Sequence, residues 1–474
     1  MKRIRLAAWA VAIVATISTL IPLGHGGRAS AGTSGACPAP RCVTGSYQAG
    51  PEVLPIEVLL PPGYATSRTH YPVVYDLAGG LSKAGYPNQV ATLLAFTQNL
   101  PADQQAIFVL PYTGPIGWWS DWLNGSHAYE SGVINTVIPM IDADYRTIPD
   151  RAHRVVEGTS LGGFGAMEIA ARHPDLFVDA ASFSGPVDNS DPLWQSILTG
   201  ATPGVNSYCL LLGASDPAND CTGQIGTTST VAGITPWGDP ATEQVWWRDH
   251  DPVTLASNLH GLGLWFASGN GVSCDASDGV GSGNGEAVFR REEILFDQAL
   301  TTAGVAHTAV YPSCGIHSER YFSQYRAEWW PVMLRTLGRP APLTWSYRTA
   351  DPSFSVWGWT FATDPTRAPE FLNVEDASGT GLTLVGSGQV SVHTASIFRP
   401  GQLVRLSGAD ATEATADSTG RISFRVNLGP AHTSQQYTAT QQAAETAAFA
   451  GYFRTQEVTF QTVQDASQAG DSHP

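Results

Sequence analysis

The stretch Arg154–Phe177, RVVEGTSLGGFGAMEIAARHPDLF, sets two β-branched residues ahead of a knot of glycines around one serine, then continues as an alanine-rich run. Val155 and Val156 read as the middle of a short buried strand, and Leu161 to Arg172, ended by His173 and Pro174, reads as a helix. Between them Gly158, Thr159, Ser160, Leu161 and Gly162 spell G-x-S-x-G. Glycines two before and two after the serine let a strand turn into a helix so tightly that backbone meets backbone, which leaves the serine hydroxyl at the tip of the turn. A helix that starts there aims unpaired N–H groups at negative charge forming beside the serine, so the Leu161 amide is an expected oxyanion donor. In a chain with 49 glycines the pentapeptide alone is weak, and the strand before it and the helix after it carry the weight.

Working outward, short apolar runs alternate with helical stretches from Pro51 to about Gly338. The expected strands are 56–60, 73–77, 107–110, 155–157, 209–212, 264–267 and 308–311. The expected helices are 88–99, 131–145, 161–172, 290–302 and 323–337. Apolar strands separated by helices of that length imply a mostly parallel sheet covered on both faces, an α/β domain. After the proline-rich step Gly338–Pro342 the texture changes to alternation such as GLTLVGSGQVSVHTA and RISFRVNL, with one helix-like stretch near 441–449. The expected division is a leader over 1–31, an α/β-hydrolase domain over 32–342 and a small β-sandwich-like domain over 343–474 with a disordered tail.

A serine hydroxyl needs a base, and in this fold the order along the chain is serine, carboxylate, histidine. His317, in SCGIHSERYF after the strand at 308–311, stands where the base is presented. The strand at 264–267 runs into SGNGVSCDASDG, which offers Asp275 and Asp278 as the acid. A bond between Cys274 and Cys314 would clamp that loop against the histidine loop and favours Asp275. The glycines of YPVVYDLAGGLS make the Gly80 amide the second expected oxyanion donor, and Trp118, Trp119 and Trp122 are candidate substrate-lining residues. The twelve residues Asp275–Glu286 have the length of a calcium loop but place Ser277, Gly279 and Val280 at its third, fifth and sixth positions, so no metal is expected, nor any cofactor.

These pieces resemble the α/β-hydrolase esterases of the esterase D type and, within them, the secreted antigen 85 mycoloyltransferases. The likeness covers Pro51 to about Leu337 and rests on YPVVYDLAGG, GWWSDW, GTSLGGFGAMEIAARHPDLF, WWRDHDP, GNGVSCD and GIHSERYF. It implies a triad of Ser160, Asp275 and His317 and an acyl-ester substrate, with a cell-envelope lipid or sugar ester among the candidates. The likeness stops at the trehalose-holding positions around the oxyanion loop, which are Ala78 and Leu81 or Ser82 here, and at the tryptophan that usually follows the His-Ser pair, which is Glu319.

The start of the chain, MKRIRLAAWAVAIVATISTLIPLGHGGRASA, has the basic, apolar and A-x-A layout of a secretory signal, so an exported protein is expected. Six cysteines suit an oxidising compartment; spacing suggests Cys37 with Cys42, Cys209 with Cys221 and Cys274 with Cys314, although other pairings are open. A net charge of −16 with lysine only at positions 2 and 83 excludes a phosphate-backbone partner. The expectation is therefore an exported serine esterase or acyltransferase, against a rival in which the hydrolase scaffold only binds cell wall or polysaccharide.

Overall fold

The computed structural model describes Pro38 and residues 40–80, 87–113, 117–199, 235–278 and 283–463. The expected leader, Cys37, the Cys209–Cys221 pairing and the expected strand at 209–212 lie outside the described residues. No described helix is long and apolar enough to cross a membrane.

Among the described residues the α/β part is one sheet of eight strands: β1 (Cys42–Ala49), β2 (Glu52–Leu59), β3 (Val73–Leu77), β4 (Ile107–Pro111), β5 (Arg154–Thr159), β6 (Asp179–Phe183), β7 (Gly263–Ala267) and β8 (Thr308–Val310). Their spatial order is β1-β2-β4-β3-β5-β6-β7-β8, and only β2 runs against its neighbours. That order, with crossover helices between the parallel strands, defines the α/β-hydrolase fold. Helices along this part are α1 (Pro87–Gln98), α2 (Ile138–Asp144, entered through a π turn at Val133–Val137), α3 (Leu161–Arg172), α4 (Pro192–Thr199), α5 (Gln244–Asp249), α6 (Gly283–Thr302) and α7 (Glu319–Met333). β3, β4, β5 and β6 are buried at every position, as a parallel sheet covered on both faces requires.

A buried charge cluster ties the last helix to the centre of the sheet. Asp76 of β3 and Glu157 of β5 are register partners, and Arg326 of α7 donates from Nε to both Glu157 oxygens at 3.0 Å and from Nη2 to Asp76 at 3.4 Å. All three side chains are at most 1% exposed. Removing either sign would strand the other away from water, so the cluster fixes where α7, and the loop before it, must sit.

From Trp345 onward the described residues form ten antiparallel strands. β9 (Trp345–Thr349), β12 (Leu372–Ser378), β13 (Gly381–Gly386), β15 (Leu403–Ser407), β16 (Glu413–Thr415) and β18 (Arg454–Thr462) make a six-stranded sheet. β10 (Ser353–Val356), β11 (Trp359–Thr363), β14 (Gln389–His393) and β17 (Ser423–Asn427) make a four-stranded one. β15 and β17 alternate exposed and buried residue by residue, as half-buried strands do. Phe361, Val392, Leu384, Val404, Phe424 and Val458 build a second core. Helix α8 (Ala439–Ala448) is the expected helical stretch near 441–449.

The sandwich is fastened to the hydrolase through the C-terminal end of α3. Arg172 there donates from Nε to Glu130, from Nη1 to Asp249 and from Nη2 to Asp351, at 2.8, 2.8 and 2.9 Å. The Tyr347 hydroxyl donates to the Arg172 carbonyl, and Asn258 both donates to and accepts from the backbone of Arg348.

Candidate active site

Ser160 occupies the turn between β5 and α3 with φ 55° and ψ −125°, a left-handed conformation costly for a residue with a Cβ. The surrounding glycines make it possible. A Cβ on Gly158 would come within 2.1 Å of the Gly162 carbonyl oxygen, and one on Gly162 within 1.8 Å of Leu77 O. The Ser160 N–H donates to Phe183 O of β6 at 3.0 Å, pinning the turn to the next strand. Leu161 opens the helix, where its N–H has no intrahelical acceptor. Gly79 stands against the serine, its built Cβ falling 3.2 Å from Ser160 Cβ, and Gly80 follows it in the same loop.

His317 sits in the loop between β8 and α7, 11% exposed at its side chain, with its ring packed between Phe289 and Phe322 at 4.9 Å from each. Its Nδ1–H donates to Glu286 Oε2 at 2.8 Å, and the Glu286 side chain is wholly buried. That tautomer leaves Nε2 with a free lone pair, the state a general base needs. The second oxygen, Oε1, accepts the Ser184 hydroxyl at 2.8 Å and the Gly269 N–H. Ser184 directly follows Phe183, so a short run of bonds links Ser160, the end of β6, Glu286 and His317. Glu293, two helical turns further along α6, is pushed well above the ordinary carboxylate range by burial, with the neighbouring Glu286 adding to the effect.

This corrects the expectation for the acid. The carboxylate on His317 Nδ1 is that of Glu286, whereas the Asp275 carboxylate pairs with Arg320 Nη2 at 3.0 Å and is 47% exposed. Asp278 accepts from the Tyr321 hydroxyl at 2.6 Å and the Cys274 N–H at 2.8 Å, and also pairs with Arg320. Cys274 and Cys314 are bonded as expected, at S–S 2.08 Å. The clamp therefore exists, but the two aspartates pair with Arg320, whereas the carboxylate bonded to the imidazole comes from the first turn of α6. The signal for Glu286 was local: a lone acidic residue before the apolar positions Val288 and Phe289, after a glycine-rich run.

Trp118 and Trp119 are interior residues, each 1% exposed and each with positive φ, which differs from the expected substrate-lining role. Trp118 packs edge-on against Phe164, Trp194 and Trp237, while Trp119 donates from Nε1 to Ala78 O at 3.2 Å and so steadies the strand end before Gly79. Trp122 is half-buried and lies toward the other end of α3.

One group among the described residues has metal-ligand types close together, namely Glu130, Glu168 and His250. Arg172 already places a cation on Glu130, and the Ser120 hydroxyl and His250 Nδ1 both meet Glu168 Oε1, so the donors are engaged with one another.

Residues 50–327 match the family model described as putative esterase, which is more than half of the chain. The chain belongs to that putative esterase family. Among curated relatives, the esterase Rv1288 of Mycobacterium tuberculosis is 36% identical over 134 residues, 28% of this chain and 29% of its own length. The chain thus spans less than a third of that relative. The diacylglycerol acyltransferase/mycolyltransferase Ag85A of Mycobacterium ulcerans is 26% identical over 308 residues, covering 60% of this chain and 82% of the relative. Of solved structures, MPT51 of Mycobacterium tuberculosis aligns at TM-score 0.45 and 19% identity over 64% of this chain and 97% of its own.

Proposed function

We propose that the chain is an exported serine esterase or acyltransferase, organised as a hydrolase domain to about residue 342 and a β-sandwich domain beyond it, that works through an acyl-enzyme. The observation that carries this reading is the buried Glu286–His317 pair, bonded through the end of β6 to the turn that holds Ser160. Ser160 Oγ attacks the ester carbonyl while its proton passes to His317 Nε2, and Glu286 holds the Nδ1–H and balances the imidazolium that forms. The Leu161 and Gly80 amides receive the developing oxyanion. Collapse breaks the ester C–O bond, and the alcohol leaves with the proton from His317. Water or a sugar hydroxyl then attacks the acyl-enzyme, giving its proton to the same imidazole and restoring Ser160.

The Cys274–Cys314 bond and the leader-like pattern of the first residues support an extracellular acyl ester as substrate, such as a cell-envelope lipid or sugar ester. The test is hydrolysis of p-nitrophenyl butyrate by Ser160→Ala. Turnover should fall by roughly 10⁴-fold or more with the thermal midpoint essentially unchanged. Retained turnover in a cleanly folded variant refutes the assignment.

A further inference from the structure

Behind the candidate site, at the other end of α3, a cleft of about 480 Å³ opens between the hydrolase and the sandwich. Ser160 precedes the first residue of the twelve-residue α3 and Arg172 is its last, so the cleft lies roughly 18 Å from the nucleophile at the helical rise per residue. Its volume falls within the range of about 300–1,000 Å³ typical of small-molecule sites. Both parts of the chain build it: Trp122 and Trp246 come from the hydrolase, and Phe354, Ser353 and Ser355 from β10.

Two features of the lining point to a ligand class. Trp122, Trp246 and Phe354 are each only partly buried and line the same cleft, so their exposed ring surface is gathered at one place. Facing them is a polar wall in which Arg172 is answered by Glu130, Asp249 and Asp351, and in which both Asp121 oxygens meet Ser131. Such a wall holds its one guanidinium among several carboxylates and presents those carboxylates as acceptors, with the exposed hydroxyls of Ser353 and Ser355 beside it. An anionic ligand would meet Asp121, Glu130 and Asp351. A neutral polyol meets no such repulsion and uses the whole lining: its C–H faces lie on aromatic rings, and its hydroxyls both donate to carboxylates and accept from the Ser353 and Ser355 hydroxyls.

We infer that the cleft between the hydrolase and the sandwich is a saccharide-binding site separate from the catalytic centre, with Trp122, Trp246 and Phe354 as stacking surfaces and Asp121 and Asp351 as hydroxyl acceptors. The inference does not depend on the catalytic reading, because binding of an unacylated sugar requires no turnover.

The experiment is calorimetric titration of the full chain with xylohexaose, cellohexaose, maltohexaose and soluble arabinogalactan, alongside tetramethylammonium and inorganic phosphate as charged probes. Saturable binding of at least one saccharide is expected, weakened about tenfold by Trp246→Ala and by Phe354→Ser, with both variants melting as the parent does. The second variant carries the test if the first is poorly folded, since Phe354 stands on the sandwich rim. The inference is overturned if no saccharide binds at millimolar concentration, if binding is indifferent to both substitutions, or if a charged probe binds and the sugars do not.

Discussion

Two buried carboxylate–imidazole pairs stand at opposite ends of α3. Glu286 holds His317 beside the amino-terminal turn, and Glu168 holds His250 near the carboxyl-terminal end, at 2.8 and 2.7 Å. Distance and burial barely distinguish them; their surroundings do. His250 is pushed well below the ordinary histidine range by burial and then by Arg172, so it stays neutral, and it sits against Trp237. Glu168 is pushed well above the ordinary carboxylate range by burial and then by Glu130. That pair is a neutral packing unit. The His317 pair instead is bonded through Ser184 to the end of β6, whose Phe183 carbonyl accepts from the N–H of Ser160 in its strained turn. In the proposed mechanism a carboxylate and an imidazole become a catalytic pair only where a nucleophile and an oxyanion site share the same edge of the sheet.

This contrast can be broken most severely at Glu286. Replacing it with Gln should lower kcat on p-nitrophenyl butyrate by about 10³- to 10⁴-fold, because the amide can hold the imidazole in the wrong tautomer and carries no charge to balance imidazolium. Equal loss from Glu168→Gln would erase the distinction. Next in size is Arg172→Met, which leaves Glu130, Asp249 and Asp351 without their cation; urea unfolding should show a loss of roughly 3–5 kcal/mol. Stability that survives unchanged would mean the network does not fasten the sandwich.

A smaller effect separates paired from solitary carboxylates. Burial pushes Asp179 up to about 7, while bonds from Trp329 and Thr336 pull the other way. Below about pH 4 it is neutral in both folded and unfolded chains. Between there and pH 7 only the unfolded chain gives up the proton, so rising pH costs stability until the folded group also ionises. Asp179→Asn cannot titrate and should melt higher than the parent at pH 8, by on the order of 2 kcal/mol, with the difference shrinking toward pH 5. A gap that widens at low pH would reverse the sign of the argument. The smallest change is expected from Glu168→Gln itself, below about 1 kcal/mol in urea unfolding, because it swaps a carboxyl already held neutral for an amide of the same shape.

Much of this geometry was legible before any coordinates. The elbow is a local event, so the valines, the glycine spacing and the helix ended by His173 and Pro174 carry it almost complete; α3 begins and ends where the pattern puts it. β6 was missed because DAASF offers no β-branched residue and opens on an aspartate, and it becomes a strand through parallel pairing on both sides. Glu286 was missed for a related reason. The glycines before it read as loop, yet α6 starts at Gly283, because packing across Phe289 and the bond to His317 outweigh their poor helix propensity. The fastening of the sandwich was beyond any pattern, since Arg172 and Asp351 are 179 residues apart.

The most direct test of the central claim is the rate at which a fluorophosphonate labels the chain, with the modified residue located by peptide mass spectrometry. A single label on Ser160 is expected, formed at the parent rate in Asp275→Asn and slowed by orders of magnitude in Glu286→Gln. Labelling at another serine, or slowing in Asp275→Asn with none in Glu286→Gln, would contradict it.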